Sequence, residues 1–87
     1  MNRTIKMREM ADNQRGVIKK VLTSGDMGRR IREMGLVPGT TFYIQGRAPL
    51  KDPVAIKVRD FTLALRNNEA DFIIVEVNDD EYKKHAA

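Results

Sequence analysis

Eighty-seven residues, 41% apolar and 32% charged, describe one small, well-solvated globular domain, with too little material for a deep catalytic cleft and its supporting shells. The chain has no cysteine, which excludes a disulfide framework, a thiolate zinc site and an iron–sulfur cluster, and fits a reducing cytoplasm. A net charge of +4, from 16 Lys+Arg against 12 Asp+Glu, favours solubility and is compatible with an acidic partner, but the basic residues are dispersed.

The start, MNRTIKMREM, lacks the apolar stretch of a signal peptide. The longest aliphatic run, Phe72-Ile73-Ile74-Val75, falls far short of the roughly 20 residues that span a bilayer. A soluble protein that meets a membrane only through a partner is expected.

Residues 4–7 suit a short strand with Ile5 and Met7 on one face; residues 8–15 are polar apart from Met10 and Ala11 and make a turn leading to Gly16. Residues 16–22 read as a strand in which Val17, Ile18, Val21 and Leu22 are interleaved with lysines. Thr23-Ser24-Gly25-Asp26 breaks it and offers helix N-caps. The helix that follows, about 26–34, carries Met27, Ile31 and Met34 at i, i+4 and i+7 on one face. Gly35 suits the C′ position and Leu36 the C″ position of a Schellman ending, with Leu36 packing back on Ile31. Pro38-Gly39 then fits a type II turn.

In the next strand Phe42 and Ile44 face one side and Thr41, Tyr43 and Gln45 the other, with Gly46 at a bulge or bend. Residues 47–53 form a loop, since its two prolines cannot donate to a ladder. Val54, Ile56 and Val58 alternate with polar or small residues, as do Phe61, Leu63 and Leu65. Arg59-Asp60 between the two runs predicts a tight hairpin, with Asp60 taking the left-handed conformation. Phe42, Ile44, Val54, Ile56, Val58, Phe61, Leu63 and Leu65 are the expected core of these strands. A one-turn helix near 67–71 and a strand over 72–77 complete a domain of residues 1–77, and 78–87 is a charged, flexible tail. The expected fold is mainly β: a small barrel of five to six strands with one inserted α-helix, closure of the barrel removing exposed edges.

Four chemistries can be weighed on the residues. His85 with Asp79, Asp80 and Glu81 forms an oxygen-rich tail that could hold a divalent cation as a regulatory module, though a solvated chain end explains the same residues. The carboxylates of the folded part sit at caps, turns and polar faces, without a pair that argues for acid/base catalysis, so no enzyme is expected. A small nucleic-acid-binding β-barrel would use an exposed aromatic in a basic groove, and Tyr43 alone suits that role. A protein-binding surface is offered by the 47–53 loop, where Ala48, Pro49, Leu50 and Pro53 stand among charged residues. An exposed barrel edge or this loop would also support self-association.

Taken together, RRIREMGLVPGT, RAPLKDPVAIKV, FTLALR, the Asn68-Glu69-Ala70 turn and Ile73-Ile74-Val75 resemble the FeoA family over roughly residues 5–77. That resemblance implies an SH3-like barrel with an inserted helix, and a non-enzymatic, cytoplasmic accessory role beside FeoB, the membrane protein with a cytosolic GTPase domain that transports Fe(II). It implies no cofactor. Partner contact is expected at Arg47, Ala48, Pro49, Leu50, Asp52 and Pro53, with Arg29 and Arg30. By charge alone, Arg29, Arg30, Arg47, Arg59 and Arg66 could approach a nucleotide phosphate. The barrel is also similar to the C-terminal domain of the diphtheria toxin repressor family, whose chains carry a DNA-binding helix-turn-helix ahead of it; with fifteen residues before Gly16, a full repressor is not expected. Calorimetry with Fe(II) on a chain ending at Val77 tests the acidic tail: if the tail binds the metal, heat seen with the full chain disappears.

Overall fold

The structure, a computed structural model, describes residues 2–50 and 52–78. Its elements in order are β1 (Asn2–Lys6), a 3-10 turn (Met7–Glu9), β2 (Arg15–Val21), α1 (Gly25–Glu33), β3 (Thr41–Arg47), β4 (Val54–Val58), β5 (Phe61–Leu65), α2 (Asn67–Ala70) and β6 (Ile73–Asn78). The strands form one antiparallel sheet in the order β1-β6-β2-β3-β4-β5. The expected helices and strands are present to within a residue or two, and the expected flexible tail beyond Asn78 lies outside the described residues.

One face of the sheet supplies the core. Ile18 of β2, Phe42 and Ile44 of β3, Val54, Ile56 and Val58 of β4, Leu65 of β5 and Ile73, Val75 and Val77 of β6 are all buried. Each set follows the period of two along its strand. Ile31 and Leu36 are added from the helix and its exit, and Ala70 from α2. Gly46 lies where the register of β3 slips against β4, between Ile44 and Gly46, as a bulge requires.

The stop of α1 is a Schellman motif. Leu36 N–H donates to the Ile31 carbonyl at 3.3 Å and Gly35 N–H to the Arg32 carbonyl at 2.9 Å, with Gly35 at φ 89°. Both Leu36 and Ile31 are fully buried and belong to the same core cluster. Thr40 N–H then closes the Pro38-Gly39 turn on the Val37 carbonyl at 3.0 Å, and Gly39, at φ 95°, donates to Ile18 at 2.8 Å. The turn is therefore stitched to β2.

The structure departs from these expectations, or adds to them, at five places. Met7 and Met10 belong to the core, because the 3-10 turn folds the segment back over the end of the sheet. Phe61 is 43% exposed and Leu63 half-buried: β5 is the last strand of the sheet, and only its far end, Leu65, is covered. Phe72 and Leu22 are exposed and adjacent, with Leu22 N–H donating to the Phe72 carbonyl at 2.7 Å. In the β4–β5 hairpin the left-handed residue is Arg59, at φ 52°, in place of Asp60. And β1 and β5 are not hydrogen-bonded to each other among the described residues, so two strand edges remain where closure was expected to leave none.

Gly28 marks a close approach in α1. A Cβ there would lie 2.7 Å from the Thr23 carbonyl oxygen, backbone that cannot swing aside as a side chain can. Alanine normally stabilises a helix over glycine by about 1 kcal/mol. Gly28→Ala is expected to reverse that sign and cost roughly 1–3 kcal/mol through overpacking, read as a lower midpoint in urea unfolding.

Candidate functional site

The 48–53 connection begins where β3 and β4 part, at the Arg47–Val54 pair. Ala48 N–H donates to the Pro53 carbonyl at 3.0 Å, which ties the two ends of the loop, and the Asp52–Pro53 peptide is cis. Pro49 is exposed, and Leu50 stands free at 89% exposure. Such exposure of a leucine on a loop carries a transfer cost that a covering surface would remove.

Arg47 and Asp52 both bond to backbone outside the loop, Arg47 half-buried and Asp52 exposed. Arg47 Nη2 donates to the carbonyls of Arg8 at 3.0 Å and Met10 at 2.7 Å, pinning the 3-10 turn to the end of β3. Asp52 Oδ1 accepts the Asn67 N–H at 3.0 Å. It thereby serves the first turn of α2, where no N-cap side chain makes the bond. Glu69, only 4% exposed, completes this corner. One oxygen accepts the Arg66 N–H at 3.0 Å and the other pairs with Arg30 Nε at 3.3 Å. A buried carboxylate is tolerated when both oxygens are matched in this way.

The folding of these segments brings Arg30, Asp52 and Pro53 together around one concavity of about 430 Å³, with Ala64, Arg66 and Glu69 as the remaining walls. Leu50 borders a second depression of about 450 Å³ with Arg8, Arg47 and Asn67. Arg29 is not part of either group; it lies on the outer side of α1, 3.9 Å from Asp26. Sequence reading does not single out Arg8, Ala64, Asn67 or Glu69 for this site. Arg8, paired with Asp71 at 3.0 Å, comes from the N-terminal turn, and Asn67 and Glu69 come from a helix of four residues. Their only local signal was the Asn–Glu spacing of a helix start.

Elsewhere, Tyr43 lies opposite both Arg15 and Lys57 in the sheet and is 37% exposed. The expectation that it is the one exposed aromatic is corrected by Phe61 and Phe72, which are at least as exposed. Among the described residues, no three His, Cys, Asp or Glu side chains come together as a metal would require; Asp79, Asp80, Glu81 and His85 lie outside them. No helix among the described residues is long and apolar enough to cross a membrane.

A curled antiparallel sheet with an inserted helix, and a loop-borne surface of arginines around one exposed leucine, defines a small SH3-like β domain. The chain belongs to the FeoA family, whose FeoA domain matches residues 5–77. It is 36% identical over 73 residues to an Fe(2+) transport protein A/Fe(2+) transporter FeoB fusion protein of Porphyromonas gingivalis; that match covers 84% of this chain and 9% of the fusion. Among solved structures, a FeoA-like protein of Clostridium acetobutylicum is 36% identical with a TM-score of 0.80, the match covering 88% of this chain and 90% of that one. FeoA of Stenotrophomonas maltophilia complexed with zinc, described as a prokaryotic SH3 domain protein, is 25% identical with a TM-score of 0.72, covering 82% and 88%.

The Arg47 contacts generate a prediction. Arg47→Met keeps the aliphatic stem but leaves the Arg8 and Met10 carbonyls without their charged donor, and is expected to cost about 2 kcal/mol. Hydrogen exchange should quicken first in residues 7–10, before the sheet.

Proposed function

We propose that this chain is a non-enzymatic accessory protein of ferrous-iron uptake that works in the cytoplasm by contact with the cytosolic part of a FeoB transporter. One observation carries the reading: in the Porphyromonas gingivalis protein, a region 36% identical to this chain is covalently joined to a FeoB transporter. Fusion holds two modules at high effective concentration, so a weak contact suffices. Without such a link, the domain would need a surface with affinity of its own. The Leu50 loop offers one, with an apolar centre at 89% exposure and a rim of Arg8, Arg47 and Asn67. Arg30 and Arg66 extend the basic character toward the neighbouring concavity. The non-enzymatic part is supported by the fate of the carboxylates there: Asp52 and Glu69 are engaged by backbone N–H groups and by Arg30, which leaves neither placed as a free base.

A second reading rests on the row Arg15–Tyr43–Lys57, which flanks one aromatic with cations across three strands. Such a row suits stacking of a single-stranded nucleic-acid base. A low-salt gel shift abolished by Tyr43→Ala would support it; the absence of any shift would remove it.

For the first reading, purified chain is titrated by calorimetry against the cytosolic region of a FeoB protein, with GDP and with a non-hydrolysable GTP analogue. Binding is expected in at least one nucleotide state, and none in either counts against the reading. Leu50→Asp is expected to weaken binding about tenfold or more while leaving the unfolding midpoint unchanged, since Leu50 makes no part of the core. Unchanged affinity would move the docking surface elsewhere.

A further inference from the structure

The free edge of β5 carries a pattern that fits a second copy of itself. Natural edge strands are commonly protected by an inward charge, a proline, a bulge or a covering element. The strand Phe61-Thr62-Leu63-Ala64-Leu65 has no charge and no proline, and its register with β4 runs without a bulge. Among the described residues, β5 is hydrogen-bonded to β4 alone.

The hydrogen-bonding phase of the edge follows from the hairpin. Val58 and Phe61 flank a two-residue turn, so they exchange both backbone hydrogen bonds, and the phase alternates along the strand. Phe61, Leu63 and Leu65 therefore point their N–H and C=O groups at β4, and Thr62 and Ala64 point theirs outward. Arg66 follows the same outward phase, but its N–H already donates to Glu69 and its carbonyl already accepts from Glu69 and Ala70. The free edge thus offers the groups of Thr62 and Ala64.

We propose that β5 pairs antiparallel with β5 of a second copy, with Leu63 on the two-fold axis. This is the register that uses both outward residues in each strand. Thr62 faces Ala64 of the second copy and Ala64 faces its Thr62, giving four backbone hydrogen bonds. The same register sets Asp60 opposite Arg66 of the second copy at both ends, so the flanking charges attract. A shift of one residue in either strand loses both matches. On the core face, Phe61 falls opposite Leu65 and Leu63 opposite its own counterpart, which covers the exposed ring and the half-buried leucine that the single chain leaves at its edge. An isologous contact of this kind closes as a dimer and does not propagate.

The experiment is sedimentation equilibrium of the full chain from about 10 μM to 1 mM. A reversible monomer–dimer equilibrium is expected; a monomer throughout overturns the proposal, whether or not the edge accepts a strand from another protein. Ala64→Pro removes an outward N–H that β4 does not use, and should abolish the dimer while the fold, checked by amide NMR, persists. Asp60→Arg sets like charges against each other at both ends and should raise the dimer Kd about tenfold at low salt. Combining Asp60→Arg with Arg66→Asp restores the opposite-charge match and should restore dimerisation. If Ala64→Pro does not fold, the charge pair decides. An Asp60→Arg chain that dimerises like the parent, or a double variant that does not recover, places the contact elsewhere and overturns the β5 register.

Discussion

Everything in this small domain depends on one constraint: a single sheet has to bury one of its own faces. A second layer is the usual cover for such a face. Among the described residues the sheet is one, six strands in continuous order. It can only curl around its core and stop the open ends with short segments. Met7 and Met10 close one end and Ile31 and Leu36, at the exit of α1, cover another part. Each stop is fastened by backbone carbonyls in defined positions. The Arg47 guanidinium holds the first, and the paired hydrogen bonds of the Schellman motif hold the second.

This explains why charged side chains near the loop are tied to the fold's own backbone, Glu69 buried, Arg47 half-buried and Asp52 exposed. Arg47, Asp52 and Glu69 each satisfy backbone groups at places where the chain turns and strand or helix ladders cannot. Gln14, 4% exposed, does the same at a smaller scale, accepting from the Ala11 N–H at 2.8 Å. Outward stand Leu50 and the two prolines, with exposed Asp52 and the arginines Arg8, Arg30 and Arg66 around them. The surface is therefore more apolar at its centre than its sequence composition suggests, with charge at the rim.

How much was legible in the sequence depended on the distance over which each feature is decided. The helix stop at Gly35, the Pro38-Gly39 turn, the β4–β5 hairpin and the Gly46 bulge are settled by neighbours a few residues apart, and all four are present. The alternation of Phe61 with Leu63 and Leu65 points to the core, yet Phe61 is 43% exposed. Alternation says which face a residue shares, not whether its strand ends the sheet, and strand order is a property of the whole chain. Met10 shows the converse: alone among polar residues it has no period, yet it packs near Gly16 and Phe42. In the candidate site, Leu50 and the prolines could be read as an exposed loop. That Arg47 reaches residues 8 and 10, and Asp52 residue 67, could not, since sequence separations of 39, 37 and 15 leave no local trace.

The tie between Ala48 and Pro53, with Asp52 held against Asn67, has an entropic consequence. A leucine on an untethered loop would lose backbone freedom when covered, at roughly 1–2 kcal/mol for each residue ordered. Here the ends of the loop are ordered before any partner arrives. A surface that closes over Leu50 thus keeps more of the roughly 1.5–3 kcal/mol that burying such a side chain contributes. The loop is in this sense preorganised, and the backbone hydrogen bonds that end two strands also shape how strongly its tip can be gripped.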